Sequence, residues 1–198
     1  TLYLAPTKAL AADQAAALGR LAVPDVRAGV VDGDTSREDR DWARRYAHLV
    51  LTNPDMLHRS VLPQHRRWAE VFAGLRLVVV DECHHYRGVF GSHVAWVLRR
   101  LLRVARAHGA DPAVMLLSAT TADPAETAQV LLGRPAVALT RDDSPSGRTD
   151  LLLADGTAAV GSTTGTQAWA AALLAALVDA RARTLVFVRS RRGSEQVA

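Results

Sequence analysis

Asp81 and Glu82 stand side by side directly after the apolar run Leu77-Val78-Val79-Val80, and Cys83-His84 follows them. Adjacent carboxylates at the end of a buried strand suit one kind of chemistry. One acid can hold Mg²⁺ through water while the other positions or deprotonates a water that attacks a nucleoside triphosphate, and the ion offsets the accumulated negative charge. Two adjacent acids can split these roles between them, and the residues alone leave open which takes which. The plain alternative is an acidic strand end that caps the next helix, and the apolar strand before it and His84 after it weigh against that. Ser118-Ala119-Thr120 ends the next apolar run, Val114 to Leu117. Alone it is a hydroxyl-rich turn. Placed beside the acids, the Ser118 and Thr120 hydroxyls can hydrogen-bond His84 or Glu82 and tie a nucleotide site to another surface. Cys83, His84, His85 and His93 also offer imidazole and thiolate ligands of the kind zinc takes. Neighbouring positions point in divergent directions and no Cys-x-x-Cys pair supports them, so zinc is the weaker use.

These residues need a frame that brings strand ends together. Leu2 to Ala5 is predicted as a buried strand stopped by Pro6, with Thr7 as the N-cap of a helix whose Leu10, Gln14, Ala17, Leu18 and Leu21 share a face. Further strands are predicted over Val26 to Val31, Leu49 to Leu51, Leu75 to Val80 and Val114 to Leu117. Thr52-Asn53-Pro54 forms a turn and helix start. The run before Asp81 is apolar almost throughout, as a strand buried on both faces is. A long helix follows, with Val94, Val97, Leu98, Leu101, Leu102 and Ala105 at helical spacing and Arg99, Arg100, Arg103 and Arg106 on its other side. Alternating strands and helices give an α/β fold with a mostly parallel sheet, in which ligands bind beyond the carboxyl ends of the strands. Pro6-Thr7-Lys8, Gly33-Asp34, Thr52-Asn53-Pro54, Asp81-Glu82 and Ser118-Ala119-Thr120 all fall at such ends. Residues 141–165 are turn-rich and polar and read as a linker containing a short strand, Leu151 to Leu153. Beyond them a helix with Trp169, Leu173, Leu177 and Ala180 on one face and a strand over Thr184 to Val188 open a second unit.

Composition bounds the partners only loosely. The chain has 198 residues, 49% of them hydrophobic, a formal charge of +4 and one cysteine. That excludes an internal disulfide framework and fits a reducing, cytoplasmic setting. No apolar run is long enough to span a membrane. Lys8 is the sole lysine among many arginines, which reads more readily as compositional bias than as phosphate recognition.

In order along the chain, these motifs resemble those of the superfamily 2 DExH-box helicases. Ala5-Pro6-Thr7-Lys8-Ala9-Leu10-Ala11 is similar to motif Ia, Asp32-Gly33-Asp34-Thr35 to the glycine-containing motif that follows, and Leu51-Thr52-Asn53-Pro54-Asp55-Met56-Leu57 to the next backbone-contacting motif. Asp81-Glu82-Cys83-His84 resembles motif II, Ser118-Ala119-Thr120 motif III, and Leu185 to Ser190 motif IV. The stretch His84 to His93 is similar to that of bacterial mitomycin-repair-factor-type helicases and their RecQ-like eukaryotic relatives. The resemblance implies an ATP-dependent DNA helicase or translocase acting in repair. It implies a RecA-like, P-loop-NTPase-type first domain over residues 1–140, a linker over 141–165 and the start of a second RecA-like domain over 166–198. ATP and Mg²⁺ are the implied cofactors, with Asp81 and Glu82 at the nucleotide and Asp81 holding the ion. His84, Ser118 and Thr120 couple hydrolysis to movement. Pro6, Thr7, Lys8, Gly33, Thr52, Asn53, Arg189 and Ser190 lie along single-stranded or duplex DNA, gripping phosphates rather than reading bases.

The resemblance departs at the front. No Gly-Lys-Ser/Thr phosphate loop is present, and the start without Met suggests a fragment, expected to hydrolyse no ATP alone. Two rivals stay open: an RNA helicase of the same superfamily, and a truncated nucleic-acid-binding module without catalysis.

Overall fold

In the computed structural model, residues 1–119, 121–145, 147–153, 166–188 and 190–197 are described. The chain divides into two compact units, Thr1–Arg141 and Asp142–Ala198.

The first unit holds a five-stranded, fully parallel sheet. Its strands are β1 (Leu2–Leu4), β2 (Ala28–Val30), β3 (Leu49–Thr52), β4 (Leu77–Val80) and β5 (Ala113–Leu116), in the spatial order β2-β3-β1-β4-β5. Parallel strands need crossovers, and helices supply them: α1 (Lys8–Leu21), α2 (Arg37–Tyr46), α3 (Pro54–Met56) running into a π-turn (Leu57–Val61), α4 (Ala69–Ala73), α5 (Gly88–Ala107) and α6 (Pro124–Leu132). From β1 the chain moves out to β2 and returns through β3; from β4 it moves the opposite way, to β5. Since β1 and β4 are neighbours, with Leu2 beside Val78 and Leu4 beside Val80, the crevice between their carboxyl ends is where the winding reverses. In an open sheet that is the place for a ligand.

Strand periodicity explains the core. Leu2, Leu4, Val50, Val78 and Val80 point to one face and pack with Phe72, Trp68, Leu57, Leu62 and the apolar stripe of α5. Tyr3, Leu51, Val30 and Leu49 point to the other, where Ala11, Leu10, Ala15 and Leu18 of α1 cover them. All six α5 residues singled out by spacing are buried. The α1 stripe is displaced from its expected line: Ala11 is the buried residue and Leu21 is 69% exposed. Among the described residues β5 pairs only with β4, and Met115 is exposed.

Caps set the element starts. Thr7 Oγ1 accepts from Leu10 N at 3.2 Å, Asn53 Oδ1 from Met56 N at 2.9 Å, and Asp123 Oδ1 from Glu126 N at 2.8 Å. Ser36 accepts from Asp39 N and donates to the Asp39 carboxylate, opening α2.

The second unit holds α7 (Thr166–Asp179) and α8 (Arg191–Val197), which lie against each other. The strands predicted over Leu151 to Leu153 and Thr184 to Val188 do not form. Leu185 and Phe187 are 77% and 88% exposed. A strand is stable only when paired, and among the described residues of this unit none pairs with either segment.

Candidate functional site

Because every strand runs the same way, the described residues of the five polar clusters sit along one edge of the sheet. Asp81 follows β4 at the winding reversal. Its backbone N–H donates to Leu4 O at 2.8 Å, and its carboxylate is held from two sides. Tyr3 Oη donates to Asp81 Oδ2 at 2.5 Å, and Glu82 N donates to Asp81 Oδ1 at 2.9 Å. Glu82 then turns the chain with φ +48°, left-handed and costly for a residue with a side chain. That turn lifts a short 3₁₀ segment, Cys83–His85, out of the strand direction. Cys83 N and Leu117 N bond Leu117 O and Val80 O respectively, so the turn is anchored to the end of β5.

On this scaffold Glu82 Oε2 stands 3.1 Å from His84 Nδ1, and Ser118 Oγ stands 3.2 Å from the same nitrogen. Ser118 Oγ also lies 2.7 Å from Thr121 Oγ1. A polar chain thus runs from the end of β4 to the end of β5 through His84. Glu82 Oε2 is buried and, though close to His84, has no hydrogen-bond partner among the described residues. Thr120, expected in the same chain, lies outside the described residues, as does Arg189.

Two groups beside the acids, Tyr3 and Cys83, are held in their protonated, neutral form. Burial, the hydrogen bond to Asp81 and the Asp81 and Glu82 charges push the Tyr3 phenol above its ordinary range. Burial pushes up the Cys83 thiol, which is free and packed in the core. Among the described residues no group of three His, Cys, Asp or Glu side chains is arranged to hold a metal ion. An ion here would rest on Asp81, with Glu82 beside it, and on water and phosphate oxygens, as Mg²⁺ does.

The remaining strand ends differ from one another. Lys8 Nζ pairs with Asp34 Oδ2 at 2.6 Å, both exposed, which raises the Lys8 pKa. Gly33 lies beneath that amine, where a Cβ would come 3.4 Å from Lys8 Nζ. Burial acts to raise the Asp32 pKa, but bonds from Asp34 N and from the Thr35 hydroxyl and N–H prevail and hold it below its usual value. Pro6 and Asn53 are half-buried and Thr7 is exposed. Thr52 is 1% exposed, and its hydroxyl donates to Val31 O at 2.6 Å. That hydroxyl therefore ties β3 to β2 and is not presented to a nucleic acid. Ser190 accepts from Gly193 N at 3.1 Å, within the second unit.

Two further residues shape the candidate site without any local signal in the sequence. Tyr3 lies within the predicted strand, where a half-buried tyrosine needs a partner for its hydroxyl, and Asp81 lies two residues beyond Val79, its neighbour in register. Arg40 donates to Asp32 O and Thr35 O and so fixes the loop after β2.

Tyr86 offers a test of this arrangement. It is 4% exposed, and its hydroxyl has no hydrogen-bond partner among the described residues. Burial first, then the Asp81 charge, raises its pKa. The folded state thus keeps a proton that the unfolded chain releases above about pH 10, so stability falls as pH rises beyond that point. Tyr86→Phe is expected to leave stability at neutral pH unchanged or up to about 1 kcal/mol higher and to flatten the alkaline loss. Urea midpoints at pH 7 and pH 10.5 check it. A Phe variant destabilised at pH 7 would reveal a partner for the hydroxyl.

The DEAD/DEAH box helicase profile matches residues 1–128. The chain is 47% identical over 150 residues to the ATP-dependent helicase YprA of Bacillus subtilis, covering 74% of this chain and 20% of YprA. It is 41% identical over 160 residues to the ATP-dependent helicase HRQ1 of Saccharomyces cerevisiae, covering 77% of this chain and 15% of HRQ1. The crystal structure of the helicase MrfA bound to DNA and AMPPNP superposes with a TM-score of 0.87 at 39% identity, over 99% of this chain and 28% of MrfA. The chain thus spans about a fifth or less of the length of these two curated relatives.

Proposed function

Since this chain belongs to the DEAD/DEAH box helicase family, we propose that its protein is an ATP-dependent DNA helicase or translocase acting in DNA repair. The observation that carries the proposal is the polar chain Asp81, Glu82, His84, Ser118 at the winding reversal of a parallel sheet. Bound ATP and Mg²⁺ supply the phosphoanhydride and the charge neutralisation, and Asp81 would hold the ion through water. Glu82, whose buried Oε2 has no hydrogen-bond partner among the described residues, orients and deprotonates the attacking water. His84 contacts both Glu82 and Ser118, so a change at the acid alters the end of β5. That is how hydrolysis would be coupled to movement, with Thr120, near Ser118 in sequence, sharing the role.

The DNA track runs over the neighbouring strand ends. Thr7, Lys8 and Asn53 offer hydroxyl, ammonium and amide groups, with Pro6 beside Thr7 and Gly33 beneath the Lys8 amine. Thr52 contributes through position alone. Residues 1–140 form the first RecA-like domain in this reading. Residues 166–198, with Arg189 and Ser190, begin the second after the linker. DNA is preferred to RNA because MrfA, a similar protein, was crystallised with DNA. The repair assignment is supported by the likeness of His84 to His93 to the mitomycin-repair type.

The test is ATP turnover by the full-length protein in Mg²⁺, with and without single strands. A DNA strand is expected to raise turnover at least about tenfold, and a ribose strand of the same sequence much less. Equal stimulation by RNA would give the site to an RNA helicase. Strand binding indifferent to ATP and Mg²⁺, without turnover, would make the protein a binding module.

A further inference from the structure

One helix face is built against the usual pattern. In α2, Arg37, Arg40, Asp41 and Arg44 recur at i, i+3, i+4 and i+7, which aligns them on one side of the helix. A helix that packs on its neighbours ordinarily carries apolar side chains at such positions. The segment between the π-turn and α4 faces this stripe and adds a fourth guanidinium, Arg67. Between them lies a cavity of about 280 Å³ backed by the buried Trp68.

Four guanidinium groups therefore converge on a cavity with one carboxylate, and the protein satisfies them only in part. Arg44 pairs with Asp41 at 3.0 Å and donates to Arg67 O at 3.2 Å. Arg67 donates to Gln64 Oε1 at 3.3 Å. Arg40 spends one nitrogen on the carbonyls of Asp32 and Thr35. Arg40 Nε and Arg44 Nε are buried with no hydrogen-bond partner among the described residues. Like charges gathered around a concave, partly dry space repel, and an anion in that space turns the repulsion into attraction. Guanidinium forks match the oxygens of phosphate, often two at a time. The cavity is at the small end for an organic ligand, which favours a single oxyanion group on a larger molecule.

Its position identifies that molecule. β2 is the outermost strand on its side of the sheet, and Arg40 joins the cavity directly to the Asp32–Thr35 loop at the β2 end. On the helicase reading, on which the choice of ligand rests, that loop borders the DNA track. We propose that the α2 arginine cavity holds a phosphodiester group of the bound DNA, outside the strand-end track and past the edge of the sheet. It adds a sequence-independent grip that the motor residues do not supply.

The experiment measures the salt dependence of DNA binding by the full-length protein, using a forked duplex and its isolated single-stranded arm. Arg37 and Arg67 are the residues to change, because Arg40 and Arg44 also brace neighbouring backbone. Arg37→Gln with Arg67→Gln is expected to weaken fork binding several-fold and to flatten the plot of log affinity against log salt. The flattening should amount to about 0.7 to 0.9 for each phosphate no longer neutralised. Arg37→Lys with Arg67→Lys is expected to recover most of that slope, and unchanged melting temperatures establish that both variants fold. An unchanged slope on both DNAs overturns the proposal. If binding to polyglutamate is lost at the same time, the cavity serves an acidic polypeptide instead. The helicase reading fails separately: without strand-stimulated ATP turnover, a slope change on substitution would still support a phosphodiester site. Unsubstituted protein that binds no DNA would overturn both.

Discussion

Glu82→Gln in the full-length protein is expected to lower DNA-stimulated ATP turnover by at least about a hundredfold, the usual loss when a positioned general base is removed, while nucleotide affinity changes little. The substitution keeps the shape of the side chain and removes only its charge and basicity. The backbone that aims it is set elsewhere, by the left-handed turn at φ +48° and by the bond from Glu82 N to Asp81 Oδ1. Gln should therefore sit where Glu sits. The carboxylate oxygen near His84 is buried and has no hydrogen-bond partner among the described residues, whereas Asp81 accepts hydrogen bonds at both oxygens, which suits the proposed role of ion ligand and not that of a base. The two acids should separate accordingly. Asp81→Asn is expected to act on nucleotide and Mg²⁺ affinity, and Glu82→Gln on turnover at saturation. Steady-state kinetics with binding of a fluorescent nucleotide separate the two. Turnover within about threefold of the unsubstituted protein would remove Glu82 from the chemistry.

How much of this was legible beforehand follows from what each residue's neighbours are. Val78 and Val80 were readable because a strand buried on both faces is apolar in sequence, whatever it packs against. Thr7 and Asn53 were readable because capping is local: donor and acceptor lie three residues apart. Ser36 and Asp39 carried the same signal for α2 and went unread, since the helix they open has arginines where an apolar stripe is expected. Tyr3 and Thr52 show the limit of local reading. Their hydroxyl partners, Asp81 and Val31, lie 78 and 21 residues away. A strand-end threonine looks the same in sequence whether its hydroxyl turns outward or toward an adjacent strand. The segment Thr184 to Val188 fails for the opposite reason. Its composition is that of a buried strand, but pairing is a property of neighbours, and the described part of its unit provides none.

Gly91 joins fold and site at a single atom, and Gly91→Ala is expected to destabilise the protein by about 1–3 kcal/mol, the usual cost of overpacking. Helix propensity alone argues the other way, because Ala is favoured over Gly within a helix by up to about 1 kcal/mol. Space decides between them. Gly91 is buried in the first turns of α5, and a Cβ there would come 2.6 Å from the Tyr86 carbonyl carbon and closer still to its oxygen. The obstacle is backbone, which no rotamer change removes. The approach is close because the chain leaves β4, turns at Glu82, makes the short Cys83–His85 segment and doubles back into α5. To admit a methyl group the Tyr86 peptide must move, and Tyr86 N is bonded to Cys83 O at 3.0 Å. The displacement therefore passes into the segment that carries His84, so turnover should fall together with stability. Gly19 in α1 gives the contrast, since a Cβ there meets nothing within 4 Å. Gly19→Ala is expected to be neutral or stabilising and to leave turnover alone. Urea midpoints and DNA-stimulated turnover of the two variants provide the check. Equal stability of Gly91→Ala and the unsubstituted protein would mean that the turn after β4 yields easily. The rigid placement of Glu82 and His84 argued from that turn would then be lost with it.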